Sequence, residues 1–327
     1  MQTGIRHSVH RDISAQGLRA GQGVFRGAPS CLPGRGALRC FLVVAVLATL
    51  LPGCLPVKET LLMEGTDLLD QGSYTEAFDR FNKAIRLDPA TSQAYYGRGD
   101  ALKALGWLEA AEHDYDRAIS LEPENTAYRW ARIEIFQLRS AYLDTVDLNA
   151  IEKPVQRSLR GVLRVLMRQD LDVIVLKDPE DVSARFERAL LMDIDGEREE
   201  AMGQMDVCVL ERPFDPAIRN ERGRMLHKRG EYLEAVEDYD AALKWCEDSA
   251  VIRYDRALSL KMCGRIGEAV EDLQYVLRAD SLDGEAWLIL GEMLHQIGRN
   301  AEGCTSLKRS IALGIPEAGD LFEKLCR

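Results

Sequence analysis

Residues 95–123 read YYGRGDALKALGWLEAAEHDYDRAISLEP, and residues 218–245 read IRNERGRMLHKRGEYLEAVEDYDAALKW. Aligned, both carry Arg-Gly (Arg98-Gly99 and Arg222-Gly223) and a second glycine seven residues later (Gly106 and Gly230). Ala, Tyr and Ala then follow at steps of five, four and three: Ala111, Tyr115, Ala118 and Ala235, Tyr239, Ala242. Extended along the chain, the register starts at 58, 92, 126, 182, 216, 250 and 284. Every step is 34 residues except the third, which is 56 and so contains an insertion of about 22. Self-similarity at a fixed period of this size predicts stacked copies of one small structural unit.

The spacing has a physical cause. Small residues at positions 8, 20 and 27 let two antiparallel helices approach closely. Glycine at position 15 supplies the left-handed residue that ends the first helix, helix A. Proline at position 32 (Pro89, Pro123, Pro179 and Pro213) blocks continuation of the second, helix B. One such pair cannot bury its apolar face alone, so pairs stack. In the third repeat, helix A is predicted over about 127–141 and helix B over 158–176, with the extra residues between and into them. Lys153, Arg157, Arg160, Arg164 and Arg168 fall there, the last four on one helical face, which predicts a solvated basic stripe.

This pattern resembles the tetratricopeptide repeat (TPR). The resemblance covers nearly all of the chain from residue 58. It implies an all-α fold, a TPR superhelical solenoid of about seven helix-turn-helix repeats over 58–315, with a C-terminal capping helix at 316–327. It also implies a concave groove lined by positions 2, 5, 9, 12 and 13 of helix A, which binds proteins or extended peptides. Position 5 reads Leu62, Tyr96, Trp130, Phe186, Asn220, Tyr254 and Leu288, so four of seven are aromatic in a chain that is 7% aromatic. The expected groove residues are Tyr96, Trp130, Phe186, Asn220, Arg224, Lys228, Tyr254 and Lys261. The cations among them lead to the expectation of a segment with acidic residues towards repeats five and six. The carboxylate clamp of some family members needs Lys at position 5 and Asn at position 9. Neither residue occurs at its position here.

Arginine recurs at position 7 as Arg98, Arg132, Arg188, Arg222 and Arg256. Asp114, Asp238 and Asp272 follow sixteen residues after three of them, which predicts structural ion pairs inside the repeat.

The N-terminal stretch is of another kind. Residues 40–51 form an uncharged apolar run of 12, preceded by Arg35 and Arg39 and broken by Pro52-Gly53. That is too short to span a bilayer and fits a signal-peptide core. With Leu51, Gly53 and Cys54 it resembles the lipobox of bacterial lipoproteins, although Pro52 departs from the pattern. The resemblance implies a signal peptide over 1–53, lipidation at Cys54 and a short spacer over 54–57. Leu55 after the cysteine points to the outer membrane, facing the periplasm. Without residues 1–53, 36 bases face 52 acids, a net charge of −16. Such a body disfavours nucleic acid.

No nucleophile elbow, phosphate loop, zinc-protease helix or dinucleotide fingerprint occurs. No enzyme activity and no cofactor are expected. Cys208, Cys246, Cys263, Cys304 and Cys326 are scattered and form no Cys-x-x-Cys; Cys246 and Cys263 are the pair closest in sequence. His113, His227 and His295 lack ligand-spaced partners in sequence, so no metal site is expected. The readings left are an envelope scaffold for proteins or peptides, an assembly factor of barrel-assembly or pilotin type, and a subunit holding a small hydrophobic ligand.

Overall fold

The computed structural model describes residues 57–145 and 153–326. Cys54 and the apolar run before it lie outside the described residues. Among those described, every regular element is a helix, and there are fifteen. Six helix pairs run α1 (Val57–Asp70) with α2 (Tyr74–Leu87), α3 (Ser92–Ala104) with α4 (Leu108–Leu121), α7 (Val182–Asp195) with α8 (Arg198–Glu211), α9 (Pro216–Arg229) with α10 (Tyr232–Leu243), α11 (Ala250–Met262) with α12 (Ile266–Ala279), and α13 (Gly284–Gln296) with α14 (Asn300–Ala312). The third repeat holds α5 (Thr126–Thr145) and α6 (Lys153–Lys177), and α15 (Pro316–Cys326) closes the series. The chain divides into two compact units, one ending at Asp170 and one beginning at Leu171, so the division falls within α6. Each unit is a stack of helix pairs with its own core.

The small residues do what their spacing implies. A Cβ on Gly99 would lie 2.6 Å from the Tyr115 ring, and one on Gly223 would lie 2.7 Å from Tyr239. Both rings are fully buried. An aromatic on helix B therefore fills the space that a missing side chain leaves on helix A. At the ends of helices A the backbone turns left-handed. Gly230 has φ +86°, and the next amide, Glu231 N–H, donates to the Leu226 carbonyl at 3.0 Å. That bond caps a carbonyl that the helix would otherwise leave open.

The third repeat departs from this plan. Its position 15 is Ser140, with no glycine to end the helix, and α5 runs on to Thr145. Both helices are longer than the spacing predicts, so part of the insertion is taken up as added helix. The arginine stripe of α6 is solvated only at Arg157; the rest is drawn in. Arg160 and Arg164 are half-buried, with their Nε atoms fully enclosed. Arg160 and Gln156 both donate to the Leu143 carbonyl in the last turn of α5. Open carbonyls at a helix C-terminus attract cations, which draws the stripe inward.

One cysteine pair was not indicated by its spacing. Cys246 and Cys263 are free, and the bridge joins Cys304 on α14 to Cys326 on α15. Sequence distance is a poor guide here, because antiparallel packing returns α15 against α14.

Candidate partner-binding face

The position-7 arginines are occupied internally. Arg98 donates to Asp114 through Nε and Nη2 at 2.7 and 2.8 Å. Arg222 grips Asp238 the same way at 2.6 and 2.7 Å, and Arg256 grips Asp272 at 2.7 Å twice. The three aspartates are buried. A further N–H of each arginine reaches back sixteen residues: Arg98 to Asn82 at 2.8 Å, Arg222 to Asp206 at 3.0 Å, Arg256 to Asp240 at 2.6 Å. Each guanidinium thus joins its own repeat to the one before. The hydrogen bonds to the buried aspartates hold the three arginines above their usual pKa range. The forward partner follows from the sequence offset, and the backward partner recurs at the same offset of sixteen.

The aromatic residues at position 5 are half-buried. In the first unit, Tyr96 lies 5.1 Å from the Tyr128 ring and 5.9 Å from the Tyr115 ring, centroid to centroid. Burial, then the charges of Asp100 and Glu134, push its hydroxyl up to about 12. Trp130 is half-buried on α5. In the second unit, Phe186 packs against the core that contains Val182 and Met205, and Tyr254 against the core that contains Leu260 and Leu273. Asn220 is 5% exposed, and its Oδ1 has no hydrogen-bond partner, so it sits inside this row rather than on its surface.

The expected cations of the groove are all taken. Arg224 pairs with Glu221 at 3.1 Å and approaches Asp255 at 3.7 Å. Lys228 pairs with Asp193 at 2.5 Å and Lys261 with Glu292 at 2.6 Å. Lys103 and Glu134, at 2.8 Å, repeat the Lys261–Glu292 relation in the first unit with the same separation of 31 residues. In the second and sixth repeats, a lysine at position 12 therefore ties helix A to position 9 of the next. An acidic ligand segment would have to compete with these carboxylates for the three cations.

Sequence reading missed the acids at position 6. Glu187, Glu221 and Asp255 stand there in repeats four, five and six, 34 residues apart. Burial raises the Asp255 carboxyl to about 6, with Arg224 opposing and Glu221 reinforcing the shift. Burial, then the Glu221 charge, also raises Glu187. Of these, Glu221 pairs with Arg224 at 3.1 Å, and Arg224 approaches Asp255 at 3.7 Å. Separately, a cleft of about 510 Å³ is lined by Met202, Asp206, Arg222, Leu226 and Asp238 among others. It holds the arginine pairs already described.

Comparison with known proteins fits this architecture. Family models described as TPR repeat or tetratricopeptide repeat match residues 65–106, 92–125 and 254–315. Superkiller protein 3 of Saccharomyces cerevisiae is 29% identical over 111 residues, which are 32% of this chain and 8% of that protein. A DnaJ protein P58IPK homolog of Arabidopsis thaliana is 28% identical over 94 residues, 29% of this chain and 19% of that one. The matched segments thus span a small part of both relatives. Among solved structures, a tetratricopeptide repeat protein from Parabacteroides merdae superposes with TM-score 0.55 at 16% identity, covering 83% of this chain and 99% of its own. The C-terminal part of a TPR repeat-containing protein from Cytophaga hutchinsonii gives 0.58 at 16%, over 79% and 98%. YrrB, a TPR protein with an unusual peptide-binding site, gives 0.50 at 15%, over 67% and 97%.

Proposed function

Because this chain carries tetratricopeptide repeats, we propose that it is a non-enzymatic scaffold which holds protein or peptide segments along its helices A. Lipid on Cys54 fastens it to the bacterial cell envelope, at the outer membrane facing the periplasm. The observation that carries the binding reading is the position-5 row: half-buried rings beside charges that are already paired. Such a surface gains little from long-range attraction and more from covering apolar area. YrrB has a peptide-binding site of its own, and extending that ligand class to this chain is part of the proposal. The anchor rests on the apolar run, its two flanking arginines, and Leu51, Gly53 and Cys54.

Capture from envelope extracts tests the binding face. The full chain carrying Trp130→Ala and Tyr254→Ala, with its helical content checked by circular dichroism, is expected to bind its captured partners about 30-fold more weakly, as loss of buried aromatic anchors commonly costs 2 kcal/mol. A folded double variant with undiminished capture moves the site elsewhere. Metabolic labelling with a fatty-acid analogue tests the anchor. Label is expected on the wild type and not on Cys54→Ser, and equal labelling of the two removes the lipid from the reading.

A further inference from the structure

The last repeat carries the smallest residue where the other regular repeats carry alanine. Position 20 is Ala77, Ala111, Ala201, Ala235 and Ala269 in the other regular repeats, but Gly303 in the seventh. The reason is steric. A Cβ on Gly303 would lie 2.2 Å from Nδ1 of His295, so the glycine makes room for an imidazole. His295 Nδ1 lies 2.9 Å from the Gly291 carbonyl oxygen. A carbonyl can only accept, so Nδ1 carries the hydrogen and Nε2 is left with its lone pair. That lone pair faces two sulfurs, Cys304 Sγ at 3.5 Å and Cys326 Sγ at 3.7 Å. The three residues come from three different helices, α13, α14 and α15. Their ligating atoms all lie within 4.8 Å of one another, half-buried.

We propose that Cys304, Cys326 and His295 form a zinc site when the Cys304–Cys326 bond is reduced. Zinc takes thiolates at about 2.3 Å and imidazole nitrogen at about 2.0–2.1 Å in a tetrahedron. Those lengths place a ligating nitrogen about 3.6 Å from each sulfur, close to the two separations found here. Only the sulfurs must move, from a covalent bond to the edge of the tetrahedron, about 3.8 Å. The imidazole is already set, with its far nitrogen donating to a backbone carbonyl as metal-bound histidines commonly do. Three protein ligands leave the fourth position to water or to a donor from a bound partner.

The conversion balances. A dithiol reductant passes two electrons and two protons to the disulfide, breaking the S–S bond and becoming a disulfide itself. The two cysteine thiols then release their protons as zinc binds them as thiolates. The bridge and the metal are thus alternative clasps for α15, which buries little of its own surface and has Ala318 as its buried residue. Oxidising surroundings keep the covalent clasp. Reducing ones with zinc present replace it.

The test uses the full chain, reduced with a phosphine and stripped of metal, then titrated with zinc against a chromophoric chelator, and with cobalt(II) alone. One equivalent is expected to bind, and cobalt is expected to give a thiolate charge-transfer band with tetrahedral d–d bands. The oxidised chain is expected to take up none at this site. His295→Gln is expected to weaken zinc by at least about tenfold. Cys326→Ser, in a helix that contributes little to the core, is expected to abolish the cobalt thiolate spectrum while circular dichroism stays unchanged. It leaves Cys208, Cys246 and Cys263 in place as controls for adventitious thiol binding. No uptake by the reduced chain, or uptake that survives both substitutions, overturns the site and leaves a disulfide alone.

Discussion

Repeats five and six on one side, and the third repeat on the other, solve the same packing problem differently. In the fifth repeat Arg222 spans sixteen residues to Asp238. In the third, Arg132 spans 38 residues to Asp170, at 2.9 and 2.6 Å, because the insertion lies between them. The backward partner is kept too, Asp206 for Arg222 and Asp116 for Arg132. A second arginine one turn earlier joins each aspartate: Arg219 at 2.7 Å, Arg129 at 2.8 Å. What differs is the apolar residues. Gly223 faces Tyr239 in the regular repeat, while positions 8 and 24 of the third repeat hold Ile133 and Leu171, each buried. The buried carboxylate held by two arginines is kept in both, and removing one partner alone strands a charge.

That contrast can be broken most directly at the carboxylates. Asp238→Ala and Asp170→Ala are each expected to cost about 3–5 kcal/mol, measured by denaturant unfolding of the full chain, and by similar amounts. A much smaller loss for Asp170→Ala means that the insertion has relaxed the clamp, and the two regions are then less alike than their geometry.

The next largest effect separates the regions. Position 6 is Asp255 in the sixth repeat and Ala131 in the third. The folded pKa of Asp255, about 6, lies above the usual 3.8. The folded state therefore holds this proton more tightly than the unfolded chain. Its contribution to stability is fully present below pH 3.8 and is lost as pH rises through 6. Asp255→Asn is expected to remove this part of the pH dependence and to stabilise the chain at pH 7 by up to about 3 kcal/mol. Melting temperatures of both proteins across pH 4–7 check it. Parallel curves mean that Arg224 holds the carboxylate ionised.

Packing gives a smaller contrast. Gly223→Ala forces a Cβ against the Tyr239 ring and is expected to cost about 1–3 kcal/mol, whereas Ile133→Leu, which keeps the volume, is expected to cost less than about 1.5. The smallest effect concerns helix ends. Gly230→Ser places a side chain on a backbone at φ +86° and is expected to cost about 1–2 kcal/mol. Ser140→Gly within α5 is expected to cost about 0.5. Equal losses at the two sites would mean that the glycine is not what ends helix A.

The repeat, its period and its clamp partners were legible because they are local or recur at a fixed offset. Small residues at 8 and 20, glycine at 15 and proline at 32 act through backbone sterics within a few turns, so the sequence determines a stack of helix pairs and which arginine meets which aspartate. It also placed Tyr96, Trp130, Phe186 and Tyr254 on helix A. Tertiary structure decided what no offset encodes. It paired Arg224, Lys228 and Lys261 with carboxylates from the same or neighbouring helices. It drew the α6 arginines towards the open end of α5. It also brought His295, Cys304 and Cys326 together from three helices, where their spacing in sequence gave no sign of a common centre. The physical reason is range: backbone sterics act between neighbours in the chain, whereas charge pairing and sulfur chemistry depend on distances that exist only after the helices have packed.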